Sequence, residues 1–170
     1  VVVDDQPVRG ADGDALVTRR PGTVVAVHSA DCAPVALVSN GPVAVVHAGW
    51  RGVVAGVLPA AVRALRELGA TEIAAWLGPC IHPECYAFGA AELDEIEARL
   101  GGRVRSTTAT GELALDLPAA VARSLRSVEV ELVDAAVGCT ACDTRWFSHR
   151  ARADAGRQAL VAWLESGGPR

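Results

Sequence analysis

Residues 28–52, HSADCAPVALVSNGPVAVVHAGWRG, contain two short apolar runs joined by a turn. The runs Ala33–Ser39 and Val43–Val46 flank an Asn-Gly pair, which between apolar runs is a strong signal for a β-hairpin. Folding at this turn brings Cys32 and His47 to the same open end, within a residue or two of being opposite each other. Opposed residues in an antiparallel pair have Cβ atoms about 5 Å apart. The stretch therefore predicts a hairpin with two potential metal ligands at its mouth.

Cys32 and His47 are a ligand pair that zinc accepts. Zinc binds thiolate and imidazole together, and a catalytic zinc site typically keeps three protein ligands plus water. Several residues with suitable side chains are candidates for the third ligand: His28, Asp31, Cys80, His82 and a residue upstream of Val1. The alternative is structural, because Cys is among the most buried residue types and a strand His is often simply packed.

A Gly-Trp-Arg-Gly turn at residues 49–52 follows the hairpin directly and is predicted to open a helix. Glycines let the backbone turn tightly, and a helix N-terminus presents free N–H groups to an anion. Arg51 can clamp a phosphate or carboxylate bidentately; the alternative is a surface side chain on a plain turn. Trp50 is a candidate both for stacking on a base and for core packing.

The rest of the chain alternates strands and helices and predicts a single mixed α+β domain over residues 1–170, with mixed β-sheets flanked by helices. The predicted strands outside the hairpin are residues 1–5, 23–27, 72–77, 128–137 and 157–164, with a turn at Gly10–Asp14 before a short extended piece. The predicted helices are residues 53–69, 90–100 and 116–127. Pro59 predicts either a helix start nearby or a kink. Residues 101–115 are polar and poorly patterned.

Composition limits the function classes. The 170 residues are 51% hydrophobic and 21% charged with a net charge of −4, which is typical of a globular domain and gives no electrostatic reason to bind nucleic acid or an anionic membrane. No apolar run approaches about 18 residues, so we expect no transmembrane helix. The chain has no Met and begins VVVDD, which predicts that it is N-terminally truncated.

The five cysteines are an odd number in a mid-sized chain, which favours a reducing cytoplasm over a secreted disulfide framework. Cys80 follows a predicted strand and is a candidate nucleophile, an unreactive thiol or a core residue. His82 and Cys85 are interpreted as structural or solvent-facing. Cys139 and Cys142 form a single CxxC, and since a zinc ribbon needs a second such pair, we interpret this one as incidental.

Four motifs in order resemble the polyphenol oxidase/purine nucleoside phosphorylase family, which includes the laccase-domain and FAMIN-like proteins. They are VHSADCAPVAL, AVVHAGWRGVVAGVL, WLGPCIHPECYAFG and CTACDTRWFSHRARADAGRQA. The resemblance implies one domain of mixed sheets and helices with one zinc ion. It places the family's ADC cysteine at Cys32 and its HAGW histidine at His47. The family's third ligand, a His in a QVHG motif, and an Arg-containing segment would lie upstream of Val1.

The resemblance also implies chemistry on purine nucleosides: phosphorolysis of adenosine, inosine and methylthioadenosine, and deamination of adenosine. Zinc-activated water, with a pKa near ~7, attacks C6 of adenine in zinc deaminases. The family's older name implies a copper-dependent polyphenol oxidase, but four His residues are too few for several copper ions. A peptidoglycan-editing factor and a non-catalytic binding domain are further alternatives. The implied partners are a nucleoside and phosphate, with the oligomeric state open.

The hypothesised roles follow from this assignment. Cys32 and His47 hold zinc. Asp31, beside the first ligand, orients it or moves a proton, or else caps a turn. Arg51 binds phosphate or ribose, and Cys80 lines the pocket.

Overall fold

The computed structural model describes residues 1–4, 12–135 and 138–167. Its strands are β1 (Ala15–Thr18), β2 (Val25–Ser29), β3 (Ala33–Ser39), β4 (Val43–Ala48), β5 (Ile73–Leu77), β6 (Arg105–Thr107), β7 (Leu113–Leu115), β8 (Glu131–Ala135) and β9 (Gln158–Ala162). Its helices are α1 (Trp50–Val54), α2 (Val57–Glu67), α3 (Ala90–Leu100), α4 (Leu117–Arg126) and α5 (His149–Arg152), with a 3-10 turn at Pro83–Cys85. The predicted α+β class is confirmed. Among the helices of these ranges, none has the length and hydropathy needed to cross a bilayer.

A five-stranded sheet in the order β1-β4-β3-β5-β8 forms the centre of the fold. β3 and β4 are the predicted hairpin, and their register pairs Ala33 with Ala48 and Pro34 with His47. β5 runs antiparallel to β3 and parallel to β8. Because of these directions, the start of β3 and the ends of β4, β5 and β8 all lie at one edge of the sheet.

The two faces of this sheet are covered by different layers. Along β4, Ala44 and Val46 join the larger core, whereas Val45 packs with Val25 and Val27 under the β2–β9 ribbon. Alternation of side chains along a strand explains the division. On the other face, α2, α3 and α4 bury apolar side chains: Leu58, Val62, Leu65, Leu93, Ile96, Leu117, Val121 and Leu125.

The prediction of a single helix over residues 53–69 is wrong in one respect, because the structure has two helices there. The break lies at Gly56, whose φ of 84° and ψ of 31° are in the left-handed region that glycine adopts at little cost. α1 begins earlier than predicted, at Trp50. Pro59 is the third residue of α2, where a backbone N–H has no intrahelical acceptor. The expectation that a regular helix begins near Pro59 is confirmed.

The other predicted elements are confirmed: α3 has the predicted ends, and β2, β5, β8, β9 and α4 have shifted ones. α4 begins as expected at Asp116, whose Oδ1 accepts the Ala119 N–H at 2.9 Å. Residues 136–137, at the end of one predicted strand, lie outside the described ranges, as do the first two residues of the predicted turn at 10–14. In the described part, the predicted strand at residues 1–5 is a parallel bridge between Val2 and Val17.

Two short elements escaped the sequence prediction. β6 and β7 form a hairpin inside the segment 101–115, closed by the Thr108 N–H, which donates to the Glu112 carbonyl at 2.8 Å. α5 lies inside the loop predicted after β8 and is capped by Ser148, whose Oγ accepts the Ala151 N–H at 3.1 Å. Strands of three residues and a helix of four are too short to carry a hydrophobic period.

One ion-pair cluster fastens the C-terminal half of α3 to β6. The Glu97 carboxylate accepts the Val104 N–H at 2.9 Å, the Arg105 N–H at 3.0 Å and the Arg105 Nε–H at 2.9 Å. The Arg105 guanidinium also contacts Asp94. Hydrogen bonding to the Arg105 side chain, opposed by burial and assisted by the two backbone N–H groups, lowers the pKa of Glu97 to about 2.

Replacing Glu97 by Gln is expected to reduce the change in the free energy of unfolding as the pH falls. The folded-state pKa lies below the ordinary value of 4.5, so the contribution of Glu97 is present above about pH 4.5 and is lost as the pH falls toward 2. Urea unfolding across this pH range, followed by tryptophan fluorescence, measures the effect. Glu95→Gln, at an exposed position of the same helix, is the matched control. Equal acid dependence in the two variants would contradict the role of Glu97.

Candidate functional site

Four segments meet at the edge of the sheet where β3 starts and β4, β5 and β8 end. They carry Cys32 before β3, His47 near the end of β4, the Gly78–Phe88 loop after β5, and the Gly138–Arg152 segment after β8. The Thr140 N–H donates to the Cys80 carbonyl at 3.0 Å, which joins the last two segments side by side. The topology therefore gathers most of the residues singled out by the sequence.

His47 is held from two sides. Its Nδ1 lies 2.9 Å from Oδ1 of Asp14, and the hydrogen bond to Asp14 leaves Nε2 as the nitrogen available for Cys32. Hydrogen bonding to Cys32, opposed by burial and assisted by Asp14, raises the pKa of His47 to about 9. A carboxylate on one imidazole nitrogen is the usual support of a metal-binding histidine, because it fixes the ring and its tautomer. Asp14 lies 33 residues from His47 and carried no local sequence signal.

Gly49 lies against this pair. A Cβ atom at Gly49 would sit 3.1 Å from the Cys32 sulfur and 3.9 Å from Cε1 of His47. The backbone φ is −68°, so the glycine is needed for space and not for a left-handed conformation. The first glycine of the Gly-Trp-Arg-Gly turn thus lets the backbone approach both candidate ligands.

Asp31 joins the start of β3 to the segment after β8. Its buried carboxylate accepts the Thr140 hydroxyl at 2.7 Å through Oδ1 and the Arg150 backbone N–H at 2.6 Å through Oδ2. Its φ of 89° is a left-handed conformation that costs a non-glycine residue energy, and the surrounding bonds hold it there. The Ile81 N–H also donates to the Asp31 carbonyl at 2.9 Å. These contacts favour an orienting role for Asp31 over proton transfer.

Two arginines stack on aromatic rings beside the site. The Arg51 guanidinium lies 4.4 Å from the centroid of the Trp50 ring, and that of Arg150 lies 4.9 Å from the centroid of the Tyr86 ring. Phe88 joins the two pairs edge to face, with centroids 5.6 Å from Trp50 and 4.8 Å from Tyr86. Both guanidinium groups belong to exposed residues. We call these five residues the Arg–aromatic row.

Tyr86 is electrostatically coupled to the rest of the site. Burial is the main reason that its pKa is raised to about 12. The charges of Cys32 and Asp31 raise it further, while those of Arg150 and Arg51 lower it. Tyr86, a member of the Arg–aromatic row, is thus close enough to Cys32 and Asp31 for their charges to change its pKa. Sequence reasoning missed Tyr86, and it named Arg150 only within the loop after β8.

Cys80 is placed differently from the other candidates. Its side chain is fully buried in the larger core, and burial raises the pKa of its thiol far above the ordinary value. A protonated thiol without solvent access is a poor nucleophile. Among the three interpretations of Cys80, the structure therefore favours the core residue, near the start of the loop after β5.

Candidates for a third ligand beside Cys32 and His47 are not gathered there. His28 is an exposed residue on β2, and His82 Nδ1 lies 3.9 Å from Glu84. Among the described residues, one group contains three or more potential ligand atoms that all lie within 4.8 Å of one another. Neither Cys32 nor His47 belongs to it. That group is Cys85, Cys139 and Cys142.

The three-cysteine group is what the sequence interpretation missed. The sequence alone predicts an incidental pair at Cys139 and Cys142 and a structural or solvent-facing Cys85. The Cys85 and Cys142 sulfurs are 3.3 Å apart in the structure. Burial, followed by hydrogen bonding to Cys142, raises the pKa of Cys85 to about 12. No local pattern could have joined residues 57 positions apart.

One cavity of the molecule lies away from the candidate ligands. A cavity of about 320 Å³ lies between α4 and β8, and three charged and three apolar residues line it: Ala122, Arg126, Glu129, Val130, Glu131 and Leu132. It has no aromatic ring, no thiol and no imidazole in its wall. The side chains around Cys32 and His47, and not the volume of this cavity, therefore identify the candidate site.

One family, described as multi-copper polyphenol oxidoreductase laccase, has a sequence model that matches residues 1–165. The chain belongs to this family. The resemblance stated from the four motifs is thereby confirmed.

Three known proteins illustrate the membership. A Mycobacterium tuberculosis protein named purine nucleoside phosphorylase is 42% identical over 167 residues, which are 95% of this chain and 66% of that protein. A Corynebacterium glutamicum protein of the same name is 37% identical and is matched over 96% of this chain and 69% of its own length. The crystal structure of a Neisseria meningitidis protein has a TM-score of 0.84 and 30% identity, over 98% of this chain and 71% of that one. The chain thus spans just under two thirds of the mycobacterial relative.

Replacing Asp31 by Ala is expected to lower the free energy of unfolding by about 1–3 kcal/mol. The change leaves the buried Thr140 hydroxyl and the Arg150 N–H without their acceptor. Denaturant unfolding measures the loss, with Asp12→Ala, at an exposed position, as the control. Combining Asp31→Ala with Thr140→Val should be less than additive, because the two changes remove the same bond. A loss no larger than that of the control would contradict this role.

Proposed function

We propose that this protein is a zinc-dependent purine nucleoside phosphorylase whose active site lies at the Cys32–His47 edge of the sheet. The observation that carries the proposal is the imidazole of His47, held between Asp14 and Cys32 and bordered by the Arg–aromatic row. Family relatives that are named purine nucleoside phosphorylase support the choice of substrate class.

The residues present fit a zinc ion. Cys32 supplies a thiolate and His47 an imidazole nitrogen, a donor set that zinc accepts, and the Asp14 carboxylate would orient the imidazole. Gly49 leaves both side chains room at the start of α1. Our proposal takes the third ligand from outside the described residues, in line with the expected histidine upstream of Val1. When bound, a zinc ion there supplies Lewis-acid polarisation of an oxygen atom.

The Arg–aromatic row fits the two substrates of phosphorolysis. In this reaction a phosphate oxygen attacks C1′ of the ribose, the bond from C1′ to the purine nitrogen breaks, and the base leaves with a proton. The guanidinium groups of Arg51 and Arg150 would bind the phosphate through charge-assisted hydrogen bonds. The rings of Trp50, Tyr86 and Phe88 offer apolar faces for a purine. Stacking on a ring holds each guanidinium in place before the anion arrives.

Asp31 and Cys80 act in this proposal without touching the reacting atoms. Asp31 holds the backbone of Arg150 and thereby sets where the end of the segment after β8 lies. Cys80 is buried in the larger core near the start of the loop that carries Tyr86. Both are positioning residues.

Adenosine deamination is the second activity proposed for the same site. The observation that favours it is the Cys–His donor pair, since thiolate and imidazole ligands also hold zinc in deaminases. The same assay separates the two reactions, because deamination of adenosine yields inosine without phosphate, whereas phosphorolysis needs phosphate and yields a free base.

Replacing Cys32 by Ser or His47 by Ala in the full-length protein is expected to remove one zinc ion per chain and nucleoside turnover together. Zinc is measured by elemental analysis after purification without added metal, and products from adenosine, inosine and phosphate are resolved by chromatography. His28→Ala, at an exposed histidine of β2, is the matched control and should keep both.

Three results would contradict the proposal. One is full turnover with zinc retained in Cys32→Ser. Another is a wild-type protein that forms neither a free purine base nor inosine. The third is copper in place of zinc with oxidation of phenols, which would support the polyphenol oxidase alternative.

Replacing Arg51 by Gln is expected to raise the KM for phosphate by about tenfold or more, because a charge-assisted hydrogen bond to the anion is lost. The KM for inosine should change much less. Steady-state kinetics with each substrate varied in turn gives both values. Arg63→Gln, on the exposed side of α2, is the control. An equal rise in both KM values would indicate that Arg51 supports the fold of the site and does not bind phosphate.

A further inference from the structure

Three cysteines converge on the two loops that follow the parallel strands β5 and β8. Cys85 ends the 3-10 turn of the first loop. Cys139 and Cys142 lie in the second, in a tight turn closed by the Cys142 N–H, which donates to the Cys139 carbonyl at 3.1 Å. A backbone bridge between Cys80 and Cys139 keeps the two loops in register. The pairing of these two loops therefore brings the three thiols together.

The spacing of the sulfurs matches a tetrahedral metal site. The Cys85 and Cys142 sulfurs are 3.3 Å apart, and all three sulfurs lie within 4.8 Å of one another. A tetrahedral zinc ion with zinc–sulfur distances of about 2.3 Å separates its sulfur ligands by about 3.8 Å, which lies inside this range. All three cysteines are free.

A carboxylate and a backbone N–H lie beside the thiols. Oε1 of Glu84 lies 3.9 Å from the Cys142 sulfur but is not within 4.8 Å of all three sulfurs, so its side chain would turn toward a bound ion. The His82 backbone N–H donates to the Cys139 sulfur at 3.3 Å, the kind of contact that stabilises a bound thiolate. Cys139 is buried and Cys142 is exposed, so the group is anchored in the core and open to an entering ion.

We propose that Cys85, Cys139 and Cys142, with the Glu84 carboxylate, bind one zinc ion at a site separate from Cys32 and His47. Three thiolates select a soft, tetrahedral divalent ion, and four protein ligands make the site a structural one with no open position. The ion would fasten together the loops that carry Tyr86 and Arg150, and so hold that stacked pair in place. The site does not depend on the proposed nucleoside chemistry.

Cobalt binding tests the proposal without reference to activity. Co²⁺ replaces zinc in thiolate sites, and its charge-transfer absorption reports bound sulfur while its visible bands report tetrahedral geometry. Metal-free, fully reduced protein titrated with Co²⁺ should show a tetrahedral, three-thiolate spectrum in addition to the one-thiolate signal expected from Cys32, and zinc should then displace the cobalt. Cys142→Ser, at an exposed position, should remove this spectrum, and so should Cys85→Ser. Cys32→Ser should keep it.

Glu84→Gln tests the fourth ligand. Loss of outer partners weakens metal binding by about 10–100-fold, so loss of a direct carboxylate is expected to weaken zinc binding at least ~10-fold. Glu95→Gln is the matched control. Chelation should lower the melting temperature of Cys32→Ser but not of Cys32→Ser combined with Cys142→Ser, because the ion at the three-cysteine group binds only the folded state.

Two outcomes would overturn the proposal. The first is a thiolate spectrum that is unchanged in Cys142→Ser and Cys85→Ser but lost in Cys32→Ser. The second is a Cys85–Cys142 disulfide in protein purified without reductant, together with no cobalt or zinc uptake by the Cys32→Ser protein once it is reduced. That result would make the group a thiol–disulfide pair and not a metal site.

Discussion

β3 is hydrogen-bonded on both sides, to β4 on one and to β5 on the other, and both pairings are antiparallel. β8 then pairs parallel to β5. These directions bring the start of one strand and the ends of three others to a single edge. The two candidate metal ligands, the Arg–aromatic row and the three-cysteine group all lie on segments that begin or end there. Changing the direction of any one strand would take its segment to the opposite edge.

Asp31 shows how this edge is held together. Its left-handed backbone carries an energetic cost, and its buried carboxylate is bound by the Thr140 hydroxyl and the Arg150 backbone N–H. The residue before the first candidate ligand is thereby fixed to a segment more than a hundred positions away. A carboxylate with two donors suits this position because each oxygen can meet a different part of the incoming loop. The strain is offset by bonds that only the folded chain can form.

The five cysteines occupy three different environments, and the environment determines the chemistry open to each. Cys32 faces an imidazole. Cys80 is enclosed by apolar side chains that disfavour its thiolate. The remaining three lie together beside a carboxylate. Residue type alone does not distinguish these cases, because a thiol can be a ligand, a nucleophile or a core side chain.

The amino-acid sequence by itself determined the β3–β4 hairpin, the cap of α4 at Asp116, and the family, because turn chemistry, capping and motifs are local. It also made Cys32, His47 and Arg51 candidates through their neighbours in the chain. The tertiary structure alone decided the partners: Asp14 for His47, Thr140 for Asp31, and Cys85 for the CxxC pair. It also decided that a helix predicted as continuous breaks at Gly56, and that a poorly patterned segment forms a hairpin. Each of these depends on contacts between distant residues or on elements too short to show a period, so only the folded chain brings them about.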